Sequence, residues 1–204
     1  MNLRFVIDFF KSKSNAVIDN RIIFDLQKMI NKKELSHFVF IVGNKEFFAH
    51  KSILSVRSKV FEAMFSNDMI ESQSNRCTID DIESEVFEEL LTFIYTGNAP
   101  KAQTIVEKLL AAAEKYEILE IKDFCANIIF KDIKNENAIQ NLIIADKYNA
   151  TKLLDKIIEF IADNFQSILN ISVIEWEKFL VENPKLVTKV FKTMAEKRQP
   201  INGQ

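Results

Sequence analysis

Two histidines and two cysteines are the side chains that could hold a metal ion or supply a nucleophile in this chain of 204 residues. They are His37, His50, Cys77 and Cys125. Their spacing matches neither CxxC nor HxxxH, so a zinc site would need distant side chains to meet by coincidence. A Cys–His or Ser–His pair formed in space stays open, but no strand-turn-helix elbow surrounds any Ser or Cys. We therefore predict no catalytic residue, no metal and a protein that is not an enzyme.

Glycine content and charge exclude two further classes of ligand. The only glycines are Gly43, Gly97 and Gly203, so the sequence contains neither a Walker loop nor a dinucleotide-binding fingerprint. We therefore expect no cofactor. With 27 Lys+Arg against 29 Asp+Glu, the net charge of -2 gives no attraction to phosphate groups. Nucleic acid and anionic membranes are therefore not predicted as partners.

The composition is that of a soluble globular protein, with 48% hydrophobic and 27% charged residues. The longest apolar runs, Phe38–Val42 and Leu109–Ala113, have five residues each, whereas a membrane helix needs ~20. Charges interrupt the N-terminal apolar stretch and no small-residue cleavage site follows it, so we expect an intracellular protein with two reduced, buried thiols. The segment Glu196–Pro200 is a poor nuclear-import cluster, so the cytoplasm is predicted, with the nucleus as the alternative.

Apolar periodicity divides the chain into a mixed first part and a helical second part. The elements predicted for the first part are a strand at Leu3–Phe9, a loop at Lys11–Asn20, a helix at Ile22–Ile30, a hairpin of Phe38–Val42 and Lys45–Ala49, two short helices within Ser52–Ser66, and a strand at Arg76–Ile79. Gly43 accommodates the positive φ that the tight hairpin turn demands. The two short helices are expected to separate near Arg57 and Ser58.

Capping signals define the later helices. Ser84 is predicted to cap a helix that Gly97 ends. Thr104 and Glu107 form a capping box for a helix that runs through Tyr116. Further amphipathic helices are predicted at Ile121–Phe130, after Asn135, at Lys152–Phe165 and after the cap Asn183-Pro184. The predicted fold class is therefore α+β, with a small sheet flanked by helices and then an all-helical region.

The stretch from Phe47 to Phe65 carries a specific motif. It reads FFAHKSILSVRSKVFEAMF, which resembles the F-x-A-H-K-x-x-L-x-x-x-S-x-x-F-x-x-x-F signature of BTB/POZ domains. Val86-Phe87, Phe93–Gly97 and Leu109–Tyr116 are similar to later helices of the same fold. The resemblance spans about Ile22 to Ile129 and implies the BTB/POZ fold.

Within that superfamily the chain looks most like the speckle-type POZ proteins, in which a BACK region follows the BTB domain. Trp176 and the run Asn183–Val187 are similar to the terminal helices of that region. Leu3–Phe9 resembles a remnant of the last strand of the MATH domain that precedes BTB in those relatives. The implied domains are residues 1–20 as an N-terminal strand and loop, 21–131 as BTB/POZ, 132–199 as a BACK-like region and 200–204 as a tail.

The resemblance implies a homodimer. The positions that match those where BTB relatives pack two protomers together are Ile22, Leu26, Met29 and Ile53. The alternative is burial of the same stripe against its own chain. A short N-terminal helix is stabilised mainly by finding a surface on which to bury its apolar side, which favours the dimer.

The resemblance also implies a second protein partner. Met69-Ile70-Glu71 resembles the hydrophobic-x-Glu motif with which BTB adaptors bind the N-terminal helices of cullin-3. A methionine thioether can fill a groove of a partner while a carboxylate directs a hydrogen bond. The alternative for Met69 and Glu71 is an ordinary polar loop. Met64 and Phe65 are implied as an adjoining apolar wall, with core packing as their alternative.

The resemblance also implies that three residues of the helical region contact a partner or a second copy of the chain. Leu142 and Ala145 correspond to secondary cullin-3 contacts in the first helices after the BTB domain. Phe191 matches an aromatic position that relatives use for a second self-contact, and its alternative is helix core. His50, between the hairpin and a helix start, is expected to make a structural hydrogen bond within the turn.

Three functions are compatible with the resemblance. The first is a dimeric, non-catalytic adaptor that recruits cullin-3 into an E3 ubiquitin ligase for proteasomal turnover of substrates. The second is an interaction module that pairs with full-length MATH-BTB relatives and modulates them, suggested by the missing MATH domain. The third is transcriptional regulation. The sequence favours it less, because Ser36-His37 stand where the family more often has Thr-Asp, and the charged pocket of the transcriptional repressors is therefore not expected in this chain.

Overall fold

The computed structural model describes residues 21–66, 74–171 and 173–198. The chain forms two compact units. Among the described residues, the first unit contains 21–66, 74–105 and 115–118, and the second contains 106–114, 119–171 and 173–198. Within the described ranges, no helix is both long and apolar enough to cross a bilayer. The domain boundary between residues 131 and 132 stays a prediction.

The first unit combines a three-stranded sheet with helices. Helix α1 covers residues 21–29 and is followed by a short 3-10 helix, Lys33–Leu35. The next elements are β1 (Phe38–Val42), β2 (Lys45–Ala49), α2 (Lys51–Arg57), α3 (Lys59–Met64), β3 (Arg76–Ile79) and α4 (Ser84–Thr96). The predicted hairpin, the pair of short helices and the strand at Arg76–Ile79 are confirmed. The strand predicted at Leu3–Phe9 lies outside the described residues.

The sheet has the order β2-β1-β3, so β1 is its central strand. β1 runs antiparallel to β2, with Phe40 opposite Phe47, and parallel to β3, with Phe40 opposite Cys77. Alternate residues of β1 are buried because successive side chains of a strand point to opposite faces. The ring centroid of Phe40 lies 5.5 Å from that of Phe61 and 5.1 Å from that of Phe87. The core of this unit therefore forms between the sheet and helices α3 and α4.

Two glycines end elements of this unit by adopting positive φ. Gly43 has a φ of 59° in the β1–β2 turn, and Gly97 has a φ of 72° at the end of α4. Glycine adopts this left-handed conformation without a steric penalty from a Cβ atom. The start of α4 differs from the prediction: Ser84 is its first helical residue, and Glu83 occupies the N-cap position.

Ser58 separates α2 from α3. Its backbone is extended, with φ -148° and ψ 123°, so the helix cannot continue through it. Its buried hydroxyl oxygen accepts a hydrogen bond from the Phe61 amide at 3.1 Å and donates one to the Tyr116 carbonyl at 2.7 Å. One side chain therefore caps α3 and ties its start to the segment Lys115–Ile118.

Ser58→Ala is expected to lower the free energy of unfolding by about 1–3 kcal/mol. The substitution removes the cap of α3 and leaves the Tyr116 carbonyl without its hydroxyl donor. Urea unfolding of this variant beside Ser55→Ala, a change within α2, measures the effect. Equal losses in the two variants would contradict a special role for Ser58.

The second unit is helical. Its elements are the greater part of α5 (Ala102–Lys115), α6 (Leu119–Lys131), α7 (Ala138–Lys147), α8 (Thr151–Ile171), α9 (Val173–Glu182) and α10 (Pro184–Arg198). Helix α8 contacts α6, α7, α9 and α10. Its buried residues recur at three- and four-residue spacing, which places them on one broad face. The predicted all-helical region is confirmed.

Helix starts in this unit differ from the predictions by a few residues. α5 begins at Ala102, two residues before the predicted cap at Thr104, but its backbone is non-helical at Ile105, with φ -129° and ψ 20°. The Thr104 hydroxyl donates to the Lys101 carbonyl at 3.0 Å. α7 begins at Ala138, after the predicted signal at Asn135. In both cases the predicted helix exists, and its first turn differs in detail from the prediction.

Candidate interaction surfaces

Helix α1 exposes large apolar side chains. Ile22 is 53% exposed and Phe24 is 59% exposed, while Leu26 and Met29 are half-buried. Of the predicted stripe, Leu26 and Met29 therefore pack partly against the first unit, whereas Ile22 lies largely in solvent. A short helix of this kind, with nine described residues, is marginal in isolation and depends on tertiary contacts.

A groove lies beside α1 in the first unit. It has a volume of about 580 Å³ and brings together two residues that the sequence predicted as interface residues, Leu26 and Ile53. The sequence analysis missed its other lining residues, which are Ser52, Val56, Arg57, Ile94, Tyr95 and Gly97. Val56 follows Ile53 by three residues on α2 and is 86% exposed, so helical spacing could have identified it. Ile94 and Tyr95 come from α4, and nothing local in the sequence links them to α1.

A buried His50–Tyr95 pair fixes the start of α2 beside this groove. The His50 amide donates to the Tyr95 hydroxyl oxygen at 3.0 Å, and His50 Nδ1 lies 2.8 Å from the same oxygen. Burial, together with the nearby His37, lowers the pKa of His50 below its ordinary value of 6.5, so the ring is neutral near pH 7. Burial also raises the pKa of Tyr95, which keeps its hydroxyl protonated. The hydrogen bond predicted for His50 is therefore structural, but its partner is Tyr95 on α4 rather than a group within the turn.

The predicted cullin-binding residues fall into three groups. Met69 and Glu71 lie outside the described residues. Met64 and Phe65 are half-buried, and the Phe65 ring centroid lies 4.7 Å from that of Phe38, so Phe65 contributes to the core as well as to the surface. Met64 and Phe65 precede Met69 by five and four residues in the sequence.

Leu142 and Ala145 are corrected by the structure. Both are 0% exposed because they lie on the buried side of α7, which packs against α8. An interior side chain cannot contact a partner without local unfolding of this helix pair. We therefore leave both residues out of the candidate surface, although the sequence implied them as secondary contacts.

Phe191 lies at the edge of an aromatic cluster in the second unit. Its ring centroid is 6.0 Å from that of Phe165 and 6.3 Å from that of Trp176. The side chain nevertheless remains 45% exposed, whereas Trp176 is buried. Phe191 is thus partly core and partly surface, which combines the two alternatives that the sequence left open.

The thiols and the acidic groups do not assemble a metal site in the described part of the chain, where no cluster of three or more His, Cys, Asp or Glu side chains occurs. Cys77 and Cys125 are both unbridged. Burial raises the pKa of the Cys125 thiol to about 12, which makes it unreactive at neutral pH. Cys77 is only half-buried, so the prediction of two buried thiols is wrong for this residue.

Comparison with known protein families places the groove beside α1 within a recognised domain. A sequence model described as the BTB/POZ domain matches residues 26–133. Among solved structures, the BTB domain of zebrafish PATZ1 is similar, with 23% sequence identity and a TM-score of 0.46. That similarity covers 59% of this chain and 95% of the other. The groove residues lie inside the range that the sequence model matches, whereas Ile22 precedes it.

Proposed function

Because the chain belongs to the BTB/POZ domain family, whose members are protein-interaction modules, we propose that it is a dimeric adaptor that recruits cullin-3 into an E3 ubiquitin ligase. The single observation that carries the proposal is the exposed apolar surface formed by α1 and the adjacent groove. BTB domains commonly homodimerise, and this surface offers the side chains that such an association would bury. Catalysis belongs to the recruited machinery, and the dimer supplies two copies of a docking surface, one on each chain.

The energetics of the exposed surface support the dimer. A fully buried Ile, Leu, Val or Phe side chain contributes roughly 1.5–3 kcal/mol relative to an exposed one. Ile22, Phe24 and Val56 are all largely exposed in the single chain, so most of that gain is still available. Obligate dimer interfaces bury about 2,000 Å² or more in total, and α1 with the groove is the apolar centre around which such an area would form.

The cullin-3 part of the proposal depends on the end of α3 and on the residues that follow it. Met64 and Phe65 leave part of their surfaces in solvent there. Met69 and Glu71 come directly afterwards in the sequence and supply a soft apolar group and a carboxylate. A few well-packed side chains supply most of the binding energy of an interface, and Met69 is the apolar side chain that would do so here.

We also propose that the chain is of the speckle-type POZ kind and that Phe191 makes a second self-contact. The buried Trp176 and the helix that begins at Pro184 support a BACK-like region, since both are features on which that resemblance rests. The half-exposed Phe191 ring would be covered in such a contact. Assemblies larger than a dimer at high concentration are the expected consequence.

The direct test uses the purified chain and the N-terminal region of cullin-3. We expect one complex that contains two copies of each protein, measured by size-exclusion chromatography with light scattering. A chain that dimerises but leaves cullin-3 in its own peak would contradict the adaptor function. It would leave the second hypothesis, an interaction module that pairs with MATH-BTB relatives.

A further inference from the structure

Asn31 ends helix α1 in a conformation that is unusual for a residue other than glycine. Its φ is 56°, in the left-handed region. Asparagine enters this region more readily than most residues, and the Lys32 amide then donates to the Met29 carbonyl at 3.3 Å. The backbone thus turns away from the helix axis at Asn31, and the side chain is free to reach the sheet.

The Asn31 side chain binds the edge of that sheet. Its Oδ1 atom accepts a hydrogen bond from the Phe48 amide at 2.9 Å. Phe48 lies in β2, which is an outer strand of the order β2-β1-β3. Amides on the outer side of an edge strand need a partner other than a neighbouring strand, and here a side chain from the end of α1 supplies it.

A second contact joins the same two segments. The Lys33 ammonium lies 5.7 Å from the centroid of the Phe48 ring, within the range of a cation–π interaction. Further along α1, Leu26 lines the groove together with Ile53. The helix is therefore held by the partial burial of Leu26 and, at its end, by the Asn31 hydrogen bond.

We infer that Asn31 is a positioning residue for dimerisation, an inference that rests on the proposed function. The hydrogen bond to Phe48 fixes the end of α1 and so keeps Ile22 and Leu26 in the arrangement that meets the second copy. Without it, a helix of nine described residues frays from its C-terminal end. Association would then have to order the helix as well as bury it, which weakens binding.

Two substitutions separate the hydrogen bond from the backbone conformation. Asn31→Gly keeps the left-handed φ without strain but removes the acceptor. Asn31→Asp keeps both an acceptor oxygen and a short side chain of similar shape. We expect Asn31→Gly to weaken the dimer about tenfold and Asn31→Asp to remain within about twofold of the wild type. Sedimentation equilibrium gives the dimer dissociation constant of each chain.

Hydrogen exchange of the Phe48 amide supplies a readout that a general loss of stability would not reproduce. We expect faster exchange of this amide in Asn31→Gly, protection in Asn31→Asp, and unchanged exchange of the Phe40 amide in the central strand. A dimeric wild type with Asn31→Gly of equal affinity would overturn the inference while leaving the proposed function standing. Equal weakening by both substitutions would also overturn it, because the acceptor would then not be the cause. A monomeric wild type would instead overturn the proposed function itself.

Discussion

Ile22→Asp is expected to convert the dimer into a monomer, with a loss of more than about 100-fold in dimer affinity. The wild-type side chain is 53% exposed in the single chain, so the monomer loses little when it is replaced. In the dimer, however, each copy would place an unpaired carboxylate in an apolar interface, where its desolvation is not compensated.

A matched control distinguishes the interface from a general effect of charge. Ile174→Asp makes the same chemical change at a side chain that is 82% exposed on α9. Light scattering should report a monomer for Ile22→Asp and a dimer for Ile174→Asp, while far-ultraviolet circular dichroism should show the same helix content for both. A dimer in both variants would exclude α1 from the interface.

Met69→Asp is expected to weaken binding of the cullin-3 N-terminal region by about 30-fold or more, without changing the dimer. That loss corresponds to about 2 kcal/mol, the level that defines a dominant interface residue. A carboxylate cannot replace the apolar contact of a methionine thioether in a partner's groove. Titration calorimetry with the dimeric variant measures the affinity, and light scattering verifies the dimer.

The same Ile174→Asp variant serves as the charge-matched control for cullin-3 binding. It should bind with wild-type affinity because α9 lies outside the proposed surface. Glu71→Ala should weaken binding less than Met69→Asp, since it removes one hydrogen-bonding group and leaves the apolar anchor. Wild-type affinity in Met69→Asp would remove this segment from the cullin-3 surface, whatever the state of the dimer.

The motif from Phe47 to Phe65 could be recognised from sequence because its residues perform specific structural tasks within the fold. Ala49 and Leu54 are fully buried, His50 binds Tyr95, and Ser58 caps α3. Each task requires one residue type at one spacing. The motif therefore predicts the fold reliably, and for the same reason it says little about which partner is bound.

The errors in the sequence analysis come from contacts between distant parts of the chain. Leu142 and Ala145 occupy positions on an amphipathic helix that look equally suited to core or surface, and only packing against α8 decides for the core. The sequence analysis also gave Asn31 no role, although its side chain accepts a hydrogen bond from Phe48, 17 residues further on. Periodicity and capping describe the nearest few residues, so they identify elements better than the surfaces that elements form together.

The mass of the wild-type chain in solution tests the central claim most directly. The exposed α1 and its groove predict a particle of twice the 23.7 kDa chain mass in sedimentation equilibrium at micromolar concentration. A particle of 23.7 kDa under the same conditions would contradict the account. The apolar surface described here would then not be a self-association surface.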